Sequence, residues 1–226
     1  MTTLYDAEYA RRYRSRDEEL AGIDSYHALI NWIGDVCDRF ARPIDVLDLG
    51  CGTGRYFWGL RHVNTLTGLD ASQPMLAEAA SPTRAGDITA GSITLIHDDL
   101  ATHEFGANSF DLVYSIGVLA EHVVLNRRLV ERVARWLRPA GRFAFTTIDP
   151  ASPDVPKTLQ RRLATALLPI TGPARAALHE RLMVGGMYAD EPWIRKVLNG
   201  LFEIESIDRF RSDVHLHGRC VARKNH

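Results

Sequence analysis

The sequence predicts an α/β protein built on a mostly parallel sheet with helices on both faces. Near-continuous apolar stretches at 44–49, 65–69, 92–96, 110–115 and 141–148 read as strands covered on both sides. Amphipathic stretches near 55–62, 73–80 and 122–137 fall between them and read as helices, the alternation of a parallel sheet. The third observation is local: Val46-Leu47-Asp48-Leu49 runs straight into Gly50-Cys51-Gly52-Thr53-Gly54-Arg55, a strand ending in a loop with glycine at every second position.

The elements follow in order. Residues 4–20 read as a helix without a full apolar stripe, with Tyr5, Tyr9 and Tyr13 recurring on one face. Residues 24–41 form a better amphipathic helix with Ile30, Ile33, Val36, Cys37 and Phe40 inward, stopped by Pro43. Leu137-Arg138-Pro139-Ala140-Gly141 reads as the turn between the 122–137 helix and the fifth strand. The rhythm breaks at the turn cluster 149–153. Helical segments at 159–168 and 174–184 follow, then a helix starting at Asp190 as N-cap with Pro192 in its first turn. Residues 202–209 and 214–222 read as a closing strand pair. This divides the single expected domain into N-terminal helices (1–40), a core (41–149), a helical insertion (150–186) and a closing helix with strands (187–226).

The chain has 226 residues and a formal net charge of -1, which gives no global attraction to nucleic acid or an anionic membrane. Cys37, Cys51 and Cys220 are far apart and indicate neither a disulfide framework nor a zinc site. The charged first residues do not read as a secretory signal and no apolar run reaches spanning length, so a cytoplasmic protein is expected.

A glycine loop of this kind lets the backbone approach a ligand closely. A phosphate is the usual ligand, but a dinucleotide loop needs a third glycine where Arg55 stands, and a P-loop needs Lys followed by Ser or Thr. The loop therefore predicts a ligand held without phosphates there. Asp70 closes the second strand 20 residues beyond Gly50, where a carboxylate suits the two hydroxyls of a ribose.

Together, Asp48-Leu49-Gly50-Cys51-Gly52-Thr53-Gly54 and Asp70 resemble the class I S-adenosylmethionine-dependent methyltransferases, over residues 40–150 and more loosely over the closing strands. The resemblance implies a Rossmann-like seven-stranded, mostly parallel sheet with the last strand antiparallel. Its cofactor is S-adenosyl-L-methionine, leaving as S-adenosyl-L-homocysteine. It implies that Gly50, Cys51, Gly52 and Gly54 meet the methionine half and that Asp48 orients the loop or meets the ammonium group. Asp70 with Ala71 then holds the ribose, and Met75 packs on the adenine. In Ile96-His97-Asp98-Asp99-Leu100, Asp98, with Asp99 as the fallback, accepts from the adenine amino group, while His97 and His103 read as edge residues. The backbone at Ser115 and Ile116 takes the ammonium group.

The same resemblance limits the chemistry. Base-amine methyltransferases of the family carry an Asn/Asp-Pro-Pro-aromatic segment where this chain has Ser115-Ile116-Gly117-Val118. Metal-assisted relatives carry an Asp in place of Ser115, Asp149 alone cannot hold Mg²⁺, and His215 with His217 lacks a third ligand nearby, so no metal is expected. Methyl transfer is an in-line displacement that needs positioning, and a base only if the acceptor carries a proton. The candidates are Glu121 and His122, and the sequence leaves open which of them faces the acceptor.

Tyr5, Tyr9, Tyr13 and His179 are the candidate acceptor contacts, in segments that relatives use as lids and pocket walls. Arg11, Arg12, Arg14 and Arg16, and likewise Arg127, Arg128, Arg132, Arg135 and Arg138, read as solvated faces. The expected activity is methylation of O or N on a small molecule, such as one of specialised metabolism. The rivals are an RNA or protein methyltransferase and a non-catalytic cofactor-binding module. Acceptor identity and oligomeric state are not legible.

Overall fold

The computed structural model describes residues 6–20, 23–153, 188–212 and 215–225. Tyr5 and His179, and the helical segments expected at 159–168 and 174–184, lie outside the described residues. The described chain runs α1 (Ala7–Leu20), α2 (Asp24–Cys37), β1 (Ile44–Leu49), β2 (Val63–Asp70), α3 (Gln73–Ala79), β3 (Ser92–His97), β4 (Phe110–Ser115), α4 (Arg127–Trp136), β5 (Leu137–Ile148), α5 (Glu191–Leu198), β6 (Phe202–Arg211) and β7 (Leu216–Lys224). The seven strands form one sheet in the order β3-β2-β1-β4-β5-β7-β6. The pairs from β3 to β5 are parallel, and β7 runs antiparallel between β5 and β6. This is the Rossmann-like sheet with the last strand reversed.

Strand alternation sorts the core into two layers. Val46, Leu66, Leu112, Tyr114, Ala144 and Val221 pack with Ile33, Val36 and Cys37 of α2 and Leu76 of α3. Leu47, Leu49, Val113, Phe143 and Phe145 face the other way, against Leu129, Val130 and Val133 of α4 and Ile194 and Val197 of α5. Helix starts follow their side chains: Ser72, Asn126 and Asp190 each accept from a backbone N–H in the first turn of α3, α4 and α5.

Both ends of the sheet are specialised. At the N-terminal ends, the buried carboxylate of Asp111 accepts from Arg42, Arg138 and the Asp45 N–H, clamping β1 to β4. At the C-terminal ends, β1 neighbours both β2 and β4, so the chain reverses its direction of winding there and leaves a crevice.

Three expectations fail. The helix near 55–62 is absent; only a 3₁₀ turn at Phe57–Gly59 forms. Gly59 lies so close to α2 that a Cβ on it would sit 2.9 Å from Ile30, Phe57 is fully buried, and Leu60 is already extended. The segment is spent anchoring separate side chains. Leu137–Gly141 is not a clean turn: it lies within β5 as a wide irregularity, with pairing moving from Leu137 to Arg142 while β4 advances only from Phe110 to Leu112. Ala140 takes the left-handed conformation within it.

Arg132 is the third failure, because it is buried rather than solvated. Its guanidinium donates to the carbonyls of Leu100, Ala101 and His103 and to Glu104, binding the loop after β3 onto α4. Arg132→Met removes every one of these donors at once. The expected cost is about 2–4 kcal/mol, since the loop carbonyls and a carboxylate lose their partner. Urea denaturation measures it, and an unchanged midpoint would refute the pin.

Candidate functional site

The glycine loop is shaped by its hydrogen bonds. Gly50 and Cys51 both donate their N–H to the Leu69 carbonyl at the end of β2, at 2.8 and 3.1 Å. Gly52 donates to Asp70 Oδ2 at 2.8 Å, and Gly54 to the Cys51 carbonyl at 2.9 Å. Four loop donors are therefore consumed inside the protein, and no α-helix follows whose N-terminus could hold an anion. The loop is not a phosphate cradle, for a reason stronger than the missing glycine.

Glycine is required at two of these positions. Gly50 has φ 78°, and a Cβ there would lie 2.6 Å from Val118. Gly52 has φ 55°, and a Cβ there would meet only Met75, at 3.4 Å. Gly52 and Met75 both line a cavity of about 570 Å³ over the C-terminal ends of β1, β2 and β4. The bare backbone at Gly52 thus keeps space open for a ligand.

Asp70 lines this cavity while holding both flanking segments. Its Oδ2 accepts from Gly52 and its Oδ1 from the Ser72 N–H, each at 2.8 Å. Each carboxylate oxygen keeps a second lone pair, so the group can still accept from two hydroxyls. Ala71, Ser72, Gln73, Pro74 and Met75 continue the wall.

Of the residues expected at the cofactor, Gly50, Cys51, Gly52, Asp70, Ala71, Met75, Asp99, Leu100 and Ile116 line the cavity. Several do not. Asp98 is turned away, accepting from His103 at 2.8 Å, which holds its carboxyl below the usual range; Asp99 is the acid on the cavity wall. Gly54 is packed against Phe57 and Pro82. The Ser115 side chain is buried and donates to the Leu49 carbonyl, bracing β1 against β4. Asp48 lies beneath the loop, off the cavity wall, and accepts from the Tyr114 hydroxyl at 2.6 Å. Burial pushes its carboxyl up to about 8, so at neutral pH it is mainly a neutral strut.

Of the two candidate bases, His122 lines the cavity and Glu121 does not. Glu121 Oε1 stands 3.6 Å from His122 Nε2. The loop carrying them is fixed by the Val118 carbonyl, which accepts from the N–H groups of His122 and Val123, and by Thr146, whose hydroxyl accepts from Gly117 N–H. Tyr9 and Tyr13 of α1 also line the cavity, their rings stacked at 5.9 Å.

Sequence reasoning missed several residues here. Arg55 stacks on Tyr13 at 4.2 Å and pairs with Asp17 of α1, whose carboxylate is fully buried. Asp17 also accepts from Thr53 Oγ1 at 2.5 Å; burial pushes its carboxyl up and the Arg55 charge pulls it back. Arg14 donates to Thr83 and to the Ser81 carbonyl, so it is a dock for α1 rather than a solvated charge. His97 lines the cavity rather than lying only at an edge, and its Nε2 meets the Ala71 carbonyl at 3.1 Å. An acid one helical turn past Tyr13, continuing the Tyr9–Tyr13 face, was the available signal for Asp17. Among the described residues no cluster of His, Cys, Asp and Glu is placed to hold a metal ion, and no helix is long and apolar enough to cross a membrane.

Residues 46–141 match the model of a family described as a methyltransferase domain. The chain is similar to the 2-ketoarginine methyltransferase of Streptomyces arginensis, 31% identical over 162 residues, which is 67% of this chain and 48% of that protein. It is also similar to the ubiquinone biosynthesis O-methyltransferase of Coxiella burnetii, 29% identical over 105 residues, 46% of this chain and 43% of that one. The chain thus spans less than half the length of these curated relatives. Among solved structures it resembles an S-adenosylmethionine dependent methyltransferase from Mesorhizobium loti, with a TM-score of 0.56 and 26% identity, covering 81% of this chain and 92% of that one. With the sheet order and the glycine loop, these likenesses support a class I S-adenosylmethionine-dependent methyltransferase.

The Asp48 environment makes a prediction. Its folded pKa lies above the unfolded value, so its contribution to stability is present in full below about pH 4 and lost as pH rises towards about 8. The stability of wild type relative to Asp48→Asn should therefore fall between pH 5 and pH 8, by up to about 1.4 kcal/mol per pH unit. Urea titrations of both proteins across that range measure it. A constant difference would mean that Asp48 is ionised in the fold.

Proposed function

We propose that this protein transfers the methyl group of S-adenosyl-L-methionine to an O or N atom of a small organic acceptor. The observation that carries the reading is the glycine loop with its N–H groups turned onto β2 and Asp70, beside a cavity of about 570 Å³. That arrangement suits a nucleoside joined to an amino acid through sulfur, with no phosphate to satisfy. The residues present fit the group: open space over Gly52, a carboxylate with spare acceptors in Asp70, an apolar face in Met75 and Leu100, and an acid in Asp99.

In this reading Asp70 accepts from the ribose hydroxyls, Met75 and Leu100 flank the adenine, and Asp99 accepts from its amino group. The backbone at Gly50 to Gly52 and at Ile116 borders the methionine half. S-adenosyl-L-methionine supplies a methyl carbon activated on a sulfonium, and S-adenosyl-L-homocysteine is the product. The chain's own task is to line up the acceptor atom and exclude water. His122 takes a proton from the acceptor, and Glu121, 3.6 Å away, stabilises the imidazolium that forms. Cys51 takes no part as a nucleophile, because burial pushes its thiol far up. Tyr9 and Tyr13 make α1 a lid over the acceptor. Acceptors as unlike as those named for the two curated relatives leave the acceptor itself to experiment.

Incubation with radiolabelled S-adenosyl-L-methionine and fractionated small-molecule extracts tests the activity; label recovered only in RNA or protein would overturn the small-molecule reading. Asp70→Ala should weaken S-adenosyl-L-homocysteine binding roughly 10- to 100-fold, as expected for lost charged hydrogen bonds. His122→Ala should leave that affinity intact and lower turnover by about 10²-fold or more. Full turnover in His122→Ala would mean catalysis by positioning alone.

A further inference from the structure

Helix α1 is docked in an unusual way. Of its 14 residues only Ala10 and Asp17 are buried, so no apolar stripe holds it to the body. One of its two buried residues is a carboxylate that bonds the loop beneath: Asp17 pairs with Arg55 and accepts from Thr53, the residues on either side of Gly54. Arg55 in turn carries the Tyr13 ring on its guanidinium, and Tyr13 carries Tyr9. A continuous column therefore runs from the glycine loop through Arg55 and Tyr13 to Tyr9, and Asp17 fastens its base.

We propose that Asp17 is a positioning residue that latches α1 onto the glycine loop, so that cofactor occupancy and closure of the Tyr9–Tyr13 wall stabilise one another. The inference rests on the methyl-transfer reading for the identity of the ligand. A surface helix held by polar contacts, the buried Asp17–Arg55 pair with the ring stack and Arg14 on Thr83 and the Ser81 carbonyl, rather than by an apolar stripe, has docked and released states available. Both partners of Asp17 belong to the loop that borders the cavity, and Thr53 and Arg55 line it themselves. A ligand that orders this loop places Thr53 and Arg55 for Asp17, and a docked α1 holds them for the ligand. The coupling is reciprocal by linkage. Cofactor binding therefore favours formation of the Tyr9–Tyr13 wall, and the closed wall slows product release, a step that often limits turnover behind a lid.

The test is hydrogen exchange and ligand release on the full chain. In wild type, S-adenosyl-L-homocysteine should slow amide exchange in residues 7–20 at least tenfold. Asp17→Asn, which keeps the shape and removes the charge, should release S-adenosyl-L-homocysteine at least tenfold faster and lose the ligand-dependent protection of α1. Exchange in β1 and β4 should stay as in wild type. With the acceptor recovered from the labelled extract fractions, its KM should rise while kcat holds or increases, a split that general destabilisation would not give. Thr53→Val, which spares the ion pair, should give a smaller change in the same direction and serves if Asp17→Asn does not fold. Wild-type α1 exchange indifferent to the ligand, or wild-type release rates in the variants, would overturn the latch while leaving the methyl-transfer reading intact. A wild-type protein that binds no S-adenosyl-L-homocysteine would overturn that reading first, and the latch with it.

Discussion

The bond from the Gly52 N–H to the Asp70 carboxylate is the constraint from which the site follows. It ties the loop after β1 to the end of β2 and, with the two bonds to the Leu69 carbonyl, turns the loop's donors inward. A loop in this state has no cradle for phosphate and presents a bare glycine face. Asp70 stands at the cavity wall as the acceptor that remains. The same tight path leaves Gly54 at φ 73° and delivers Arg55 toward α1 instead of into a helix. The shape of the cavity wall and the docking of α1 thus descend from one backbone conformation.

Much of this was legible. The strands at 44–49 and 110–115 are found where predicted, because central parallel strands must be apolar on both faces and so announce themselves. Asp190 caps its helix for the same local reason that suggested it. Long-range partners were not legible. Arg132 looks like any arginine on a charged helix until the carbonyls of 100–103 arrive beneath it from a distant segment. Residues 55–62 have helical spacing, yet Phe57 and Gly59 are each claimed by neighbours from elsewhere in the chain, and tertiary packing overrides propensity. The choice between Asp98 and Asp99 turned on His103, which captures the first and leaves the second at the cavity.

Stability and function are separated along the strand axis. Asp111 with Arg42 and Arg138 closes the N-terminal end of the sheet, far from the cavity. The C-terminal end carries the left-handed glycines, the buried neutral Asp48 under the loop and the polar docking of α1. Those features would be poor choices for stability alone, and they sit where a ligand has to be admitted, covered and let go.

Isothermal calorimetry of the purified protein with S-adenosyl-L-homocysteine, and with NAD as the phosphate-bearing comparison, tests the central claim most directly. The inward-turned loop predicts saturable one-to-one binding of S-adenosyl-L-homocysteine and none of NAD. Binding of NAD, or no binding of S-adenosyl-L-homocysteine, would contradict it.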